Sequence, residues 1–188
     1  MIVAAADGSS LNNPGPAGWA WYIDDDTWAA GGWPRGTNNM GELKAVLDVL
    51  RATRDADEPL TILCDSQYAI NCCTKWIPGW KRKGWRKRDG KPVLNRDLLE
   101  PIDEELDGRD VTFEWVKGHA GHAMNEAADQ RARAAATAFR DGTPVDHGPG
   151  FGRVDRDPQP QEDVPRPGNG DEQERLFDLP ERPATPDQ

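Results

Sequence analysis

Apolar residues fall along this chain in two rhythms. In the first, Leu43, Val46, Leu47 and Leu50 recur at i, i+3, i+4 and i+7, one face of an α-helix. The spacing predicts a helix over residues 40–54 with Asn38 or Asn39 as its N-cap. Ala128, Ala132, Ala135 and Phe139 predict a second helix over Met124–Phe139, Ala-rich and ended by Asp141-Gly142. In the second rhythm apolar residues come as short runs. Met1–Asp7 reads as a buried strand, and Ala17–Ile23 with Thr27–Trp33 as an antiparallel hairpin about Asp24-Asp25-Asp26. Leu60–Cys64 and Asp110–Val116 read as further strands. Gln67–Trp76 predicts a helix capped by Asp65 or Ser66 and stopped before Pro78. Leu98–Leu106 predicts another after Asn95, with Pro101 opposing its middle. The order βββαβα, then αβα, describes an α/β domain: a mixed sheet with helices on its faces.

Composition divides the chain. All eight Trp lie in residues 1–140, whereas residues 141–188 hold nine of the 16 Pro and few apolar side chains. Such a segment buries too little apolar surface to offset its ordering entropy. The expectation is a folded domain over 1–140 and a mostly disordered acidic tail over 141–188. The net charge of −10 argues against a nucleic-acid partner until it is apportioned. The tail, with 12 acids and five Arg, carries −7, and the domain only −3. Within the domain, Lys75, Lys81, Arg82, Lys83, Arg86, Lys87, Arg88 and Lys91 face Asp89 alone, a local +7. Nucleic-acid binding depends on such a patch more than on the overall sign.

Cys64, Cys72 and Cys73 form no CxxC pair and are odd in number, which opposes a disulfide framework or a zinc site. Ile2–Ala6 is too short for a secretory leader, and no run reaches membrane-spanning length. A cytoplasmic setting is expected.

Four acids stand where an acid is locally costly. Asp7 and Asp65 end apolar strands, where open α/β sheets build their sites. Glu42 borders the apolar face of the first long helix, and Asp129 that of the last. Clustered carboxylates repel one another unless a cation lies among them, and all-oxygen ligands suit Mg²⁺ or Mn²⁺. Two such ions roughly 3.5–4 Å apart clamp an in-line phosphoryl displacement. Taken singly, each acid has an equal structural reading: a turn for Asp7, an N-cap for Asp65, solvated faces for Glu42 and Asp129.

Four segments, in order, resemble the motifs of type 1 ribonucleases H: Asp7-Gly8-Ser9 with Asn13-Pro14-Gly15-Pro16-Ala17-Gly18; Thr37-Asn38-Asn39-Met40-Gly41-Glu42; Cys64-Asp65-Ser66-Gln67-Tyr68; and Trp115-Val116-Lys117-Gly118-His119-Ala120-Gly121-His122 with Asn125-Glu126-Ala127-Ala128-Asp129. The likeness spans about residues 1–136. It departs at Met40-Gly41, where the best-known members carry a basic residue and Met.

The resemblance implies a ribonuclease H-like fold: a five-stranded mixed sheet flanked by helices, with a basic helical protrusion. It implies an endonuclease that hydrolyses the RNA strand of RNA–DNA hybrids and leaves 5′-phosphate and 3′-hydroxyl ends. Asp7, Glu42, Asp65 and Asp129 would hold two Mg²⁺ ions, with Mn²⁺ as a substitute. His119 matches the family's mobile-loop histidine, thought to assist proton transfer or product release. Asn13, Asn38 and Gln67 match hybrid contacts near the scissile bond, where amides both donate and accept. Arg35, Thr37 and Asn95 match a phosphate pocket for the DNA strand. Trp76, Trp80, Lys81, Lys83 and Trp85 match the protrusion; a Trp at such spacing reads equally as packing. His122 and His147 read as surface residues. The rival readings are a hybrid-binding module without catalysis and a nuclease of the same fold acting on DNA. A monomer is expected.

Near the end of the tail, Gln173, Leu176 and Phe177 resemble the short Gln-x-x-Leu-Phe peptides that dock on the bacterial sliding clamp, with residues 173–179 as the motif. Two adjacent apolar side chains in so polar a tail call for a partner. A tether of this kind would raise the local concentration of the domain at replicating DNA.

Overall fold

The computed structural model describes residues 1–152. Five strands form one sheet in the order β3-β2-β1-β4-β5. They are β1 (Ile2–Ser10), β2 (Gly15–Asp24), β3 (Thr27–Gly36), β4 (Leu60–Cys64) and β5 (Val111–Trp115). The first three are antiparallel neighbours, and β4 joins β1, and β5 joins β4, in parallel. The mixed sheet therefore turns from antiparallel to parallel at β1, the strand that carries Asp7.

The helices are α1 (Asn38–Ala52), α2 (Gln67–Asn71), α3 (Ile77–Arg82), α4 (Arg96–Leu106) and α5 (Ala123–Asp141). Helix α1 lies against β1 and β2 and is covered in turn by α4. Its Leu43, Val46, Leu47 and Leu50 enter the main core with Ala4, Ala6 and the fully buried Trp21. Each such leucine contributes about 1.5–3 kcal/mol. Alternation sends Val3 and Ala5 to the opposite face, where they pack with Leu63, Val116 and Ala128 of α5. Asp7 shares the parity of Val3 and Ala5.

Several elements differ in detail from their sequence expectation. The N-cap of α1 is Thr37, whose Oγ1 accepts from Met40 N–H at 3.1 Å, so neither Asn38 nor Asn39 caps it. At the other end of α1, Arg109 donates to the Leu50 and Thr53 carbonyls at 2.6 and 3.3 Å, satisfying groups the helix leaves open. Ser66, one of the two expected caps, accepts from Ala69 N–H in α2. The chain does not leave the helical path before Pro78. A π-helical turn at Cys72–Trp76, in which Ile77 N–H reaches back five residues to the Cys72 carbonyl, joins α2 to α3. Pro78 then occupies the first turn of α3, where its missing N–H costs little. Pro101 does sit inside α4. The helix persists because Leu98, Leu99 and Ile102 are buried beneath α1, and their burial offsets a proline cost of about 3 kcal/mol.

The protrusion is helical only as far as Arg82. Beyond it the backbone turns through left-handed conformations at Gly84, Trp85 and Gly90, and Arg86 bridges to Pro92 in a small hairpin-like loop. Strand β1 also continues past Asp7. Its parallel pairing to β4 is recorded from Ile2 to Ala5, but pairing to β2 runs on to Ser10.

A composition-based boundary at residue 140 falls short of the packed chain. After Gly142 the backbone returns to the open edge of β3. Ala30 N–H donates to the His147 carbonyl at 3.1 Å, Gly150 N–H donates to the Trp28 carbonyl at 2.9 Å, and His147 Nδ1 lies 2.9 Å from the Ala30 carbonyl. Val145 and Phe151 pack on core clusters. His147 is exposed, yet it is tied to this edge. The Gln173, Leu176 and Phe177 motif lies outside the described residues.

Two glycine contacts set how closely helices approach the sheet. A Cβ at Gly8 of β1 would overlap the Glu42 backbone nitrogen and stand 2.8 Å from Gly41 Cα. A Cβ at Gly18 of β2 would overlap the Ala132 carbonyl of α5. Gly41 is thus a close-packing residue. Replacing Gly8 by Ala is expected to cost about 1–3 kcal/mol by overpacking and to weaken divalent-ion binding by pushing Glu42 outward. Gly79→Ala, where nothing lies within 4 Å of the new Cβ, should stabilise α3 by about 0.5–1 kcal/mol. Denaturant unfolding and a Mn²⁺ titration of both variants test this; equal stabilities would remove the close approach as a constraint.

Candidate active site

Asp7, Glu42 and Asp65 converge. Each offers a carboxylate oxygen within 4.8 Å of the other two. The architecture explains why. Register pairs Ala5 with Leu63, so continuing both strands by two residues sets Asp7 beside Asp65, just past the end of β4. Helix α1 starts directly over β1 because Gly8 and Gly41 let the backbones touch, and Glu42 is the next residue.

The environment penalises charge at these positions. Asp7 is 4% exposed and Glu42 7%. Burial, and then the neighbouring charge of Asp65, push Asp7 up to about 7. Burial and the charge of Asp7 push Glu42 well above the usual carboxylate range. Asp65 is raised by its partial burial, opposed by His119 and reinforced by Asp129. Glu42 Oε2 is buried with no hydrogen-bond partner. A buried carboxylate with one unpartnered oxygen, set close to two more carboxylates, fits a divalent cation, which would satisfy all three acids at once.

Asp129 does not complete a four-way cluster. It stands close enough to act on Asp7 and Asp65 electrostatically. Its Oδ2 accepts from Arg133 Nη2 at 2.9 Å, one turn further along α5.

His119 lies on the loop between β5 and α5, exposed, in a left-handed conformation with φ of 53°. The loop passes close over Asp65, for a Cβ at Gly118 would overlap Asp65 Oδ2. His122 is exposed as expected and also caps α5, its Nδ1 accepting from Asn125 N–H at 3.4 Å.

The expected substrate residues fall into groups. Asn13 and Asn38 are brought together: Asn38 N–H donates to Asn13 Oδ1 at 3.1 Å, and Ser10 N–H donates to Asn38 Oδ1 at 2.8 Å. Both are exposed, and Asn38 lies one turn before Glu42. Gln67 is exposed at the start of α2, two residues after Asp65. Arg35 and Thr37 flank the β3–α1 junction, whereas Asn95 donates to Tyr68 Oη at 3.1 Å. Among the described residues no hydrogen bond joins Asn95 to the other two.

Trp76 and Trp80 are half-buried, with ring centroids 5.7 Å apart, and Tyr68 meets Trp76 edge-on. Trp85 is the exception to the substrate-contact expectation. At 7% exposed it is a core residue. Its backbone pairs with Trp80 and Val93, so the indole anchors the protrusion and presents little surface to a ligand. Lys81 pairs with Asp103 of α4 at 2.8 Å, bracing the protrusion, while Lys83, Arg88 and Lys91 are exposed.

Two residues of the site carried no role in the sequence reading. Asn125 is fully enclosed near Asp65, and its Nδ2 is buried with no hydrogen-bond partner; its nearness pulls against the upward shift of the Asp65 carboxyl. Its position, three residues after the cap His122, was the available signal. Trp115 is 51% exposed at the end of β5, and its Nε1–H donates to the Asp65 carbonyl at 3.1 Å. Nothing in its strand pattern marked it.

A mixed sheet that delivers three acids from β1, α1 and the end of β4 defines a divalent-metal site of the kind used in phosphoryl chemistry. The RNase H family model matches residues 1–137. The chain is 53% identical over 155 residues to Ribonuclease H of Tropheryma whipplei strain Twist, covering 82% of this chain and 95% of that protein. It is 50% identical over 141 residues to Ribonuclease HI of Streptomyces coelicolor, covering 71% of this chain and 61% of that protein. Among solved structures, LC9-RNase H1, a type 1 RNase H with the type 2 active-site motif, aligns with a TM-score of 0.61 at 27% identity, over 80% of this chain and 76% of that one. RNase H1 of Halobacterium salinarum NRC-1 aligns with a TM-score of 0.54 at 27% identity, over 72% and 97%. The chain belongs to the RNase H family, whose members depend on divalent metal.

The raised carboxyls fix the sign of a pH dependence. A folded-state value near 7 for Asp7, against about 3.9 when unfolded, means the metal-free fold binds protons that the unfolded chain has released. Stability is therefore fully present below about pH 3.9 and falls as pH rises from there through 7. Melting of the metal-free protein across pH 5–8 is expected to show this loss, and Asp7→Asn or Glu42→Gln to reduce it. Divalent-ion binding should release protons, more at pH 6 than at pH 8, as calorimetry in buffers of different ionisation enthalpy would show. A flat difference between variant and wild type across this range would exclude the raised values.

Proposed function

We propose that this chain is an endonuclease that hydrolyses the RNA strand of RNA–DNA hybrids, with two Mg²⁺ ions held by Asp7, Glu42, Asp65 and Asp129. The observation that carries this reading is the cluster of three mutually close carboxylates containing the unpartnered Glu42 Oε2. Bound there, divalent ions would supply Lewis-acid stabilisation of phosphate charge and lower the pKa of an attacking water. The chain's own residues do the rest. Asp7 and Glu42 are held by the β1–α1 contact, so little reorganisation separates the free site from the loaded one. Asn13, Asn38 and Gln67 stand exposed around that cluster as amide donors and acceptors suited to ribose hydroxyls. His119, above Asp65 on the loop, is placed to accept or return a proton at the reaction's edge. The products are a 5′-phosphate and a 3′-hydroxyl.

Asp7→Asn, Glu42→Gln and Asp65→Asn are each expected to remove about 4 kcal/mol or more of transition-state stabilisation, roughly a thousandfold in rate. Each should keep its fold and melt no lower than wild type without metal, because one repulsive charge is gone. His119→Ala should be milder. The measurement is single-turnover cleavage of a labelled RNA–DNA hybrid with Mg²⁺, with duplex DNA as control. Near-normal hybrid cleavage by any of the three acid variants, or faster cutting of duplex DNA, would reject the assignment.

The protrusion is expected to supply phosphate contacts. Replacing Lys83, Arg88 and Lys91 with Ala should weaken hybrid binding and reduce the salt dependence by up to about 0.9 per lost contact in the log–log slope. Titrations across salt concentration, with catalysis prevented by omitting metal, read this directly. An unchanged slope would make these cations a solvated face.

A further inference from the structure

We propose that Arg133 is a positioning residue for the fourth carboxylate: its guanidinium holds Asp129 ahead of the divalent ion and sets the ion concentration at which Asp129 joins the site. The inference rests on the metal-site reading above. The two residues lie one turn apart on α5, and Arg133 Nη2 donates to Asp129 Oδ2 at 2.9 Å. Their exposures are unequal: the Arg133 side chain is 57% exposed and that of Asp129 20%. The acid is thus the more enclosed member of the pair and the cation the more exposed one.

A pair of this exposure and spacing contributes little to folding, so folding is a weak reason for it. Its electrostatic position is more informative. Asp7, Glu42 and Asp65 already repel one another within 4.8 Å, and Asp129 adds to the load on both Asp7 and Asp65. A fixed cation on Asp129 offsets part of that repulsion without entering the cluster. It engages only Oδ2, and no other protein group bonds to this carboxylate among the described residues. Oδ1 is left for a ligand. The same charge that steadies the metal-free site also opposes an incoming divalent ion. Arg133 thus trades ion affinity for a pre-set carboxylate.

The size follows from Coulomb's law. One unit charge acting on a divalent ion a few ångströms beyond the carboxylate, in water-like dielectric and moderate salt, changes affinity by about three- to tenfold.

The test titrates Mn²⁺ into the full-length protein without substrate, following bound ion by electron paramagnetic resonance and calorimetry. Arg133→Gln is expected to tighten the weaker Mn²⁺ step by about three- to tenfold; if a single step is resolved, that step is read. Arg133→Lys keeps the cation and should stay within about twofold of wild type. Arg140→Gln, which removes an equal charge from an Asp141 pair at the far end of α5, should change nothing. In an Asp129→Asn background the Arg133→Gln effect should fall to within about twofold, since the exposed guanidinium is then no longer held near the ion and its repulsion is screened. In cleavage assays the half-saturating Mg²⁺ concentration should fall by the same factor. Metal-free melting confirms that each variant is folded. Wild-type affinity or weaker binding in Arg133→Gln overturns the proposal, as does an effect that persists in full with Asn at 129. Absence of Mn²⁺ binding by the wild type would overturn the metal-site reading and this inference together, whereas normal wild-type binding with an unresponsive Arg133 removes the inference alone.

Discussion

Three carboxylates held within 4.8 Å of one another are a standing repulsion, and the fold is arranged to sustain it. What sustains it is backbone contact, not side-chain packing. At Gly8 and Gly41 the strand and the first turn of α1 meet with no room for a Cβ. On the other face, Gly18 meets α5 in the same way. Main-chain atoms cannot swing aside as side chains can, so the acids they carry cannot relax apart. The cores on the two faces then supply the burial that holds α1 and α5 down against that repulsion.

The four acids are held in different ways. Asp7 and Glu42 are enclosed and bear the largest upward shifts. Asp65 is partly open, with Trp115 fixing its backbone, Asn125 beside its carboxyl and Gly118 passing over it. Asp129 keeps 20% side-chain exposure and is engaged by a cation. Two acids are therefore set by the core, one by a loop and one by an exchangeable ion pair. The site thus has two acids fixed by backbone contact and burial and two held by more exposed groups.

The same division explains how much could be read from sequence. Helix α1 was legible because its buried face is strictly periodic, and β4 because its apolar run is short and ends at Asp65. The four motifs located the acids. Convergence of three of them follows from strand register and glycine contact, which no local pattern encodes. Pro78 was misread as a stop because a π turn is a tertiary accommodation, visible only in how Cys72–Trp76 packs. For Trp85 the sequence left substrate contact and packing equally open, because a Trp among lysines looks the same whether it faces solvent or core; here it packs. Asp129 was read as an equal fourth ligand; its pairing with Arg133 was open to i,i+4 reasoning but carries meaning only beside the cluster.

The two edges of the sheet show how structure and site are reconciled. An unpaired edge strand invites pairing with other chains. At β3 the chain covers its own edge: residues past α5 return to bond with Trp28 and Ala30. That is why the packed domain outlasts the helix, and why polar, Pro-rich composition alone placed the boundary too early. At β5 the solution differs. The strand has five residues, is largely exposed, and ends at Trp115. A cover there would lie beside the loop that carries Gly118 and His119, which passes over Asp65. Shortness protects this edge without closing the approach. The edge far from the acids is sealed and the edge beside them is kept short, so the position of the site governs how each side of the sheet is finished.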